Sequence, residues 1–481
     1  MLLKSTLIYG PAILLTRISA LLFLVIATRL IDKTEYGLLT LVVTVGEMTD
    51  VAVTNWLRIS LLRLGGKGDV TRGSLVRAGN ILLCTTLLAL VIAVVASNLV
   101  VPERWADFSV AVCAYLVAGA IARYALVILQ MQQRHSAYAM LEFLRALLQL
   151  VFPVATMFLV EHNSFFAISL SSSFGTLVAG IVAGIVASRQ IVSGPPRFTH
   201  REFFALGVPI VVMALVSFGL ANAERVFLKI YHDATAVAVF AAAYALARQP
   251  VDMIANAINM GAFPEAVGRF DEEGPAAAAA LLKQFLALIF TLSLPVAALL
   301  AALGHDLTEL LLPASYDGPY NLLFAIVAGS AVCTNLADFV YGAVVYAHKR
   351  PWLLIVSKFS GSTATIALSF ILIPRMVEVG AALALAGGAV VNLLVSMVIS
   401  ERLTPIPLPW RALTISLAIS AGMGVAAALV SHYLGDMHVI VRLAAAGSAA
   451  GIIFLGLNAL CYPEETRHGF DMVRNRLQQF V

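Results

Sequence analysis

The chain has 481 residues, of which 60% are hydrophobic and only 12% are charged. Because soluble domains carry about 25% charged residues, this composition excludes a soluble globular protein and indicates a polytopic membrane protein. The formal net charge is only +4, and we expect no nucleic-acid partner. The four cysteines lie in or beside apolar segments, so we predict no disulfide framework. Eight of the nine histidines lie in or near connecting loops, so we predict no His/Cys metal site, and we expect no cofactor.

Fourteen apolar stretches are long enough to cross a bilayer as helices, which takes about 20 residues each. These predicted spans lie at residues 7–30, 38–62, 78–101, 107–131, 140–160, 164–187, 204–226, 235–263, 280–303, 319–347, 352–374, 379–400, 411–431 and 438–461. Their connections are short, and none is long enough to form a soluble domain. We therefore predict an all-α polytopic membrane protein with about 14 transmembrane helices.

Basic residues in the connections set the predicted orientation, because cytoplasmic loops carry an excess of Lys and Arg. With the N-terminus in the cytoplasm, 18 lysines and arginines lie on the cytoplasmic side and seven on the opposite side. We therefore predict that both termini are cytoplasmic, which requires an even number of spans.

A faint internal repeat links residues 29–41 with residues 229–241. In each segment one apolar helix ends with a cation, a short polar loop follows, and a helix of small and aromatic residues begins. The segments lie six predicted spans apart, which favours two pseudo-symmetric six-helix lobes of parallel topology. We predict lobes at residues 1–195 and 196–405, followed by two C-terminal helices and a tail at residues 406–481.

Basic residues also lie inside the predicted spans, where each would cost about 3 kcal/mol if it faced lipid. They are, in chain order, Arg17, Arg58, Arg123, Arg145, Arg248 and Lys358. This cost is avoided in the interior of a bundle or in a watery cavity. We therefore predict that these cations line a cavity that opens to the cytoplasm and that they bind its ligand.

Polar residues at membrane depth accompany these cations, most regularly in the span at residues 235–263. Five polar residues there follow at intervals of four, four, four and three, which places them on one face of a helix: they are Tyr244, Arg248, Asp252, Asn256 and Asn259. Earlier and later spans add Glu47, Asp50, Asn335 and Asp338. We predict that all of these line the same cavity.

The alternative is that the charges are structural ion pairs that hold the helices together. Two pairs are spaced to meet within one helix, namely Glu142–Arg145 and Arg248–Asp252. Arg58 and Arg145 also lie close enough to a membrane boundary for their side chains to reach water. The cations most strongly predicted to bind a ligand are therefore Arg17, Arg248 and Lys358.

The residue types indicate the chemistry of the ligand. Arginine suits phosphate or carboxylate because its planar guanidinium donates two parallel hydrogen bonds. The interleaved Asn, Ser, Thr and Tyr residues supply the donors and acceptors that sugar hydroxyls require. The pattern favours an anionic, sugar-bearing ligand, and the lack of a P-loop argues against a built-in ATPase.

Six short motifs follow one another over about the first 400 residues. They are Leu30 with Glu35-Tyr36-Gly37, then Gly207-Val208-Pro209, Glu224-Arg225, the segment Ala241–Ala247, Ile373-Pro374, and Gly380-Ala381-Ala382 with Ala384. Together with the predicted spans, they resemble the polysaccharide-transporter branch of the multidrug/oligosaccharidyl-lipid/polysaccharide exporter superfamily. That family often has Asp-Arg where this chain has Glu224-Arg225, a change that keeps the charge.

The resemblance implies a flippase rather than an enzyme. Its substrate would be an undecaprenyl-pyrophosphate-linked oligosaccharide, moved by alternating access to the external leaflet of the bacterial inner membrane for O-antigen, capsule or exopolysaccharide synthesis. Arg17 matches the family's tendency to place a cavity cation on the first span. The implied partners are the lipid-linked oligosaccharide and membrane lipid, with a polysaccharide polymerase and export machinery as further candidates, and the last two spans would hold the lipid tail.

Two other functions stay open on the sequence. A drug/cation antiporter of the same superfamily would have a cavity led by carboxylates, and Asp50, Asp252 and Asp338 are available for that role. A membrane enzyme that polymerises or ligates lipid-linked glycans would usually have a large external loop with catalytic cations. The longest predicted external loop, at residues 304–319, has no Lys or Arg, which argues against the enzyme.

Overall fold

Helices make up nearly all of the described chain, which covers residues 18–64, 70–160 and 164–461 of a computed structural model. Within these ranges the structure contains no β-strand, and an isolated parallel bridge between Thr71 and Val192 is the only β-type pairing. The predicted all-α polytopic fold is confirmed.

The helices are numbered in chain order. They are α1 (Ile18–Leu30), α2 (Lys33–Val53), α3 (Asn55–Leu64), α4 (Arg72–Val100), α5 (Trp105–Met131), α6 (His135–Leu159), α7 (Phe165–Ser188), α8 (His200–Tyr231), α9 (Ala234–Glu273), α10 (Pro275–Ala302), α11 (Gly304–Leu311), α12 (Tyr320–Asn335), α13 (Gly342–Ala347), α14 (Trp352–Leu403), α15 (Trp410–Tyr433) and α16 (Val439–Cys461). A 3₁₀ turn at Pro102–Arg104 precedes α5, and a π-helical segment at Leu336–Tyr341 joins α12 to α13.

In the part of the chain that the structure describes, eleven helices are long and apolar enough to cross a membrane. One of them, α14, has 52 residues and would measure about 78 Å as a single straight helix. Its backbone is non-helical at Val377, where φ is 49° and ψ is −120°, a conformation that β-branched residues rarely adopt. This break divides α14 into the two spans that the sequence predicts at residues 352–374 and 379–400.

The predicted second span, at residues 38–62, differs from the single helix expected there. It is broken at Thr54 between α2 and α3. The Thr54 hydroxyl donates to the Asp50 carbonyl at 3.1 Å and also to the Asp50 carboxylate. Such bonding to the preceding turn bends helices, and nothing in the apolar pattern of residues 38–62 indicates it.

The chain divides into two compact units. Unit 1 comprises the residues up to Ala242 together with Thr365–Ala384, and unit 2 comprises Ala243–Ala364 together with the residues from Leu385 onwards. The helices α9 and α14 therefore contribute to both units. The symmetric lobes at residues 1–195 and 196–405, with an appendage at 406–481, stay a prediction.

Close packing of small residues holds α5 and α7 together in unit 1. A Cβ atom placed on Gly180 of α7 would lie 2.8 Å from Cα of Ala122 on α5. Ala122 and the neighbouring Ala183 are buried. Small residues allow the backbones of membrane helices to approach closely, and Ala122 also lines the cavity described below.

An aromatic cluster fixes α3 in unit 1. Trp56 is buried, and its ring lies 5.5 Å from that of Phe203 and 5.4 Å from that of Phe204 at the start of α8. Phe203 in turn stacks on Phe198 at 4.7 Å. Aromatic pairs of this kind add about 0.5–1.5 kcal/mol beyond their burial. They anchor α3, the helix that carries Arg58.

In unit 2, the predicted last two spans correspond to α15 and α16, and they pack against α10. Ile419 and Met423 of α15 and Ala446 and Ala450 of α16 form a buried apolar cluster with Leu303. At one end of this cluster, Arg442 of α16 pairs with Asp306 of α11 at 2.8 Å and with Glu309. Apolar packing and one buried ion pair thus attach the final helices to unit 2.

Two glycines one turn apart on α7 provide a matched test of the packing between α5 and α7. We expect Gly180→Ala to lower the free energy of unfolding by about 1–3 kcal/mol, because the added methyl group overpacks the contact with Ala122. A Cβ on Gly184 meets nothing within 4 Å, so Gly184→Ala should be neutral or stabilising by up to about 1 kcal/mol. Thermal unfolding of both variants in detergent measures the difference, and equal melting temperatures would contradict the close contact.

Candidate functional site

A polar cavity of about 260 Å³ lies inside unit 1 among α2, α3, α5, α6 and α7. Its lining combines charged, amide and hydroxyl side chains: Glu47, Arg58, Tyr115, Arg123, Glu142, Arg145, Gln149, Ser172, Ser173 and Thr176. A more apolar cavity of about 340 Å³, which reaches Ser19 and Phe23 of α1, shares Glu47, Tyr115, Arg145 and Gln149 with it. The two cavities therefore adjoin within the membrane-spanning part of unit 1.

The pair formed by Arg123 and Asp50 joins α5 to α2 at this cavity. The Arg123 Nη2 atom lies 2.6 Å from Asp50 Oδ1, and the Asp50 side chain is only 8% exposed. The Thr54 hydroxyl donates to the same carboxylate. Asp50 is thus a satisfied, buried counter-ion, whereas the Arg123 side chain is 30% exposed and lines the cavity.

A second network runs along α6 and crosses to α7. Arg145 pairs with Glu142 at 2.7 Å and donates to Gln149 Oε1 at 2.9 Å. Gln149 Nε2 donates to the Thr176 hydroxyl at 2.8 Å. The pairing of Glu142 with Arg145 that the spacing predicts is therefore present. The network holds the Arg145 guanidinium at the cavity wall without burying it completely.

Arg58 and Glu47 differ from these paired residues. Among the described residues, neither side chain has an ion pair or a hydrogen bond, although both line the cavity. The sequence placed Arg58, like Arg145, close enough to a membrane boundary to reach water, yet both line this cavity together with Arg123. Three arginines and two glutamates line the cavity, and Asp50 adds a third carboxylate by pairing with Arg123. The formal charges of these six side chains therefore balance, but Arg58 has no acidic partner among the described residues.

In unit 2, the polar stripe of α9 forms a separate cluster. Arg248 Nε lies 3.0 Å from Asp252 Oδ2, and the Arg248 guanidinium lies 5.3 Å from the centre of the Tyr244 ring. Asp252 Oδ1 accepts a hydrogen bond from Asn335 Nδ2 at 3.0 Å. The intrahelical pair that the spacing predicts is present, and α12 supplies an additional donor.

The last two residues of the stripe, Asn256 and Asn259, differ from the first three in the contacts that they make. Asn256 is exposed and donates to the Asp252 backbone carbonyl at 2.6 Å. Asn259 Oδ1 is buried and has no hydrogen-bond partner among the described residues. The side chains of Tyr244 and Asp252 therefore both contact Arg248, Asn256 bonds to the Asp252 backbone, and Asn259 Oδ1 joins none of these contacts.

A second ion pair in unit 2 depends on the π-helical segment. Asp338 lies within this segment and pairs with Lys358 of α14. The Lys358 side chain is 15% exposed and that of Asp338 is 34% exposed. π-helical turns often occur at functional sites, and this one carries a charge that faces a cation on another helix.

The structure thus places the predicted site residues in two groups, one in each unit. Arg17 lies outside the described residues, so its predicted role stays a prediction. Sequence reasoning missed Tyr115, Ser172, Ser173 and Thr176 as cavity residues. The serine run at residues 171–173 is a signal that could have indicated a polar wall, whereas nothing around Tyr115 distinguishes it from a core aromatic residue.

A double-mutant cycle tests the cross-helix pair in unit 1. We expect Asp50→Asn and Arg123→Gln to show a coupling free energy of about 1–3 kcal/mol, because each single change leaves a poorly solvated partner. The control is the exposed pair Glu265–Arg269, whose atoms lie 2.8 Å apart and whose coupling should be below about 0.5 kcal/mol. Chemical or thermal unfolding in detergent gives both values, and equal coupling in the two pairs would contradict the account.

Comparisons with known proteins confirm the resemblance inferred from the motifs. The family model described as "Polysaccharide biosynthesis protein" matches residues 2–266, which is more than half of the chain. No curated protein sequence gives a significant match.

Solved structures match over most of the chain. The lipid II flippase MurJ in an inward closed conformation has a TM-score of 0.65 at 12% identity, over 95% of this chain and 99% of that one. An inward-facing multidrug resistance MATE transporter has a TM-score of 0.57 at 12% identity, over 80% and 94%. A MOP superfamily transporter from Pyrococcus furiosus has a TM-score of 0.53 at 12% identity, over 83% and 95%. The chain belongs to the family of polysaccharide biosynthesis proteins and has the fold of MOP-superfamily transporters.

Proposed function

We propose that this protein is a flippase for an anionic polyprenyl-pyrophosphate-linked oligosaccharide. It would move the charged head from the cytoplasmic to the external leaflet of the bacterial inner membrane by alternating access, with both termini in the cytoplasm. The observation that carries the proposal is the cavity of unit 1, in which Arg58 has no acidic partner among the described residues. The likeness in fold to a lipid II flippase supports it.

The lining of the cavity suits a pyrophosphate attached to a sugar. Arg58, Arg123 and Arg145 each present a planar guanidinium that can donate to phosphate oxygens in pairs. Ser172, Thr176 and the neighbouring amide supply both donors and acceptors, which sugar hydroxyls require. A purely structural set of ion pairs would need neither an arginine without an acidic partner nor the hydroxyl-bearing wall.

The carboxylates have a defined part in this proposal. When the cavity is empty, Asp50 and Glu142 neutralise Arg123 and Arg145, because an uncompensated charge at membrane depth is costly. When a pyrophosphate enters, it offers the arginines alternative acceptors. The pyrophosphate would therefore replace these carboxylates as the hydrogen-bond acceptor, so that Arg123 and Arg145 remain paired at every step.

The unit 2 cations have an equivalent arrangement. Arg248 and Lys358 are held by Asp252 and Asp338, and we propose that they contact the passenger in the same way. An inside-negative potential would favour outward movement of the anion by about 2.3 kcal/mol per charge per 100 mV. The glycan so exported would supply a polymerase and export machinery for O-antigen, capsule or exopolysaccharide.

The direct experiment measures the sidedness of lipid-linked oligosaccharide in cells depleted of this protein. We expect the intermediate to accumulate on the cytoplasmic leaflet, where an external glycosidase or periodate cannot reach it. Wild-type protein should restore accessibility. Normal sidedness in depleted cells that contain no second transporter would reject the proposal, and external accumulation of single repeat units would indicate a polymerase or ligase.

Substitutions at Arg58 test the cavity itself. We expect Arg58→Gln to lower export at least about tenfold, because one charge-assisted hydrogen bond is worth about 1.5–3 kcal/mol. Arg58→Lys should retain more activity than Arg58→Gln, since lysine keeps the positive charge but lacks the planar guanidinium that donates two parallel hydrogen bonds. Arg269→Gln, at an exposed surface pair, is the matched control. Full export by the Arg58→Gln variant at normal protein levels would show that the charge of Arg58 is not needed to bind the substrate.

A second candidate function has one observation in its favour. Glu47 lines the same cavity and has no ion pair among the described residues, and a carboxylate of this kind could bind a proton or a cationic drug. The similar fold of a multidrug resistance transporter makes drug/cation antiport the competing proposal. It predicts that loss of this protein sensitises cells to cationic drugs and that Glu47→Gln does the same, whereas the flippase proposal predicts unchanged drug sensitivity.

A further inference from the structure

A second basic cavity lies in unit 1, away from the polar cavity described above. It has a volume of about 460 Å³ and is formed where the start of α4 meets the segment between α7 and α8. Its polar lining consists of Arg72, Arg77, Asn80, Ser193 and His200, and Val76 completes one edge. No Asp or Glu lines it among the residues that the structure describes. The cavity therefore presents basic groups and hydrogen-bond donors without a carboxylate.

The walls of this cavity are held by backbone hydrogen bonds. Arg72 N donates to the Val192 carbonyl at 2.8 Å, and Gly73 N donates to the Gly194 carbonyl at 3.0 Å. A Cβ atom on Gly73 would lie 2.6 Å from Pro196 N, so the two segments are in direct contact. Arg77 donates to the Phe198 carbonyl. The cavity is thus part of the fold, with one arginine fixed in its wall.

The two helices that begin here add to the positive potential. The first turns of α4 and α8 start at Arg72 and His200, respectively, and helix N-termini attract anions. The side chain of Arg72 is exposed and has no ion pair or hydrogen bond among the described residues. The nearest carboxylate along α8, that of Glu202, is engaged by Thr199 in a capping box. A phosphate group therefore has available donors here and no competing acid in the lining.

An apolar stripe leads away from the cavity along the exposed face of α4. Val76, Leu83, Leu87 and Val91 are between 55% and 62% exposed. Val76 lies at the cavity edge, and the rise from Val76 to Leu87 is about 16 Å. This is close to half of the roughly 30 Å hydrocarbon core of a bilayer. An acyl chain that follows the stripe would thus begin beside the basic cavity and end near the bilayer centre.

We propose that this cavity binds the phosphate of an anionic phospholipid whose acyl chain lies on the α4 stripe. The basic lining recognises the headgroup, and the adjacent apolar face distinguishes a lipid from a soluble phosphate. By the loop charges, Arg72, Arg77 and His200 lie on the predicted cytoplasmic side, where the lipid would belong to the inner leaflet. The site is independent of the proposed flippase activity, so its test does not depend on translocation.

The experiment measures phospholipid binding to the purified full chain by native mass spectrometry. The probes are phosphatidylglycerol and phosphatidylcholine with identical acyl chains. We expect the wild-type chain to prefer phosphatidylglycerol. Arg72→Gln should weaken phosphatidylglycerol binding about fivefold, which is the contribution of one basic residue near an anionic lipid, and should leave phosphatidylcholine binding unchanged. Arg72→Gln with His200→Gln should weaken it further.

The matched control is Arg201→Gln, because Arg201 is exposed next to His200 but does not line the cavity. It should keep the wild-type preference for phosphatidylglycerol. Equal loss of binding in Arg201→Gln and Arg72→Gln would reduce the site to a diffuse basic surface and overturn the proposal. Competition by inorganic phosphate at the same concentration as the lipid would also overturn it, since it would identify a soluble-anion site.

Discussion

A guanidinium inside a membrane is stable only where another group replaces the water it has lost, and this requirement governs the arrangement of the charged residues. Each such charge costs about 2.5–3.5 kcal/mol at the centre of a span. Arg123 meets Asp50, Arg145 meets Glu142, and Arg248 meets Asp252. The helix break at Thr54 follows Asp50 by one turn, and the π-helical segment contains Asp338, whereas Glu142 and Asp252 lie within continuous helices.

Paired charges of this kind give a transport cavity a property that a hydrophobic core lacks. Because carboxylates balance its arginines, the cavity is stable when empty. The same arginines can leave a carboxylate and bind an anionic ligand instead. Arg58 lines the cavity without an acidic partner among the described residues. We propose that this guanidinium selects an anionic head, while the paired arginines keep the energetic cost of the empty state low.

Helical periodicity predicted those features that lie within one helix. The α9 stripe and the pair of Glu142 with Arg145 follow from spacing alone, since residues three or four positions apart share a face. Contacts between helices could not be predicted, because Asp50 and Arg123 are 73 positions apart and any of several spans could have faced either residue. The break at Thr54 was also hidden, because Thr is compatible with an uninterrupted apolar helix.

The position of Arg58 also depends on contacts between helices that the sequence does not predict. Its sequence position suggested a side chain reaching water at the boundary, whereas in the structure the packing of Trp56 against Phe203 helps to hold α3 so that Arg58 lines the cavity. An aromatic contact between α3 and α8 is a tertiary effect, and apolar patterning carries no information about it. A polar, arginine-lined cavity within the spans was therefore predictable from the buried charges, whereas the identity of its unpaired cation was not.

The central claim is that the polar cavity of unit 1 binds its ligand through the negative charge of the ligand's head. It is tested most directly by equilibrium binding of one glycan to the purified protein in two forms, linked to polyprenyl pyrophosphate or to an uncharged polyprenol. The account predicts that the pyrophosphate form binds about 10–100-fold more tightly and that Arg58→Gln removes most of this preference. Equal affinity for the two forms, or a preference that Arg58→Gln leaves unchanged, would contradict it.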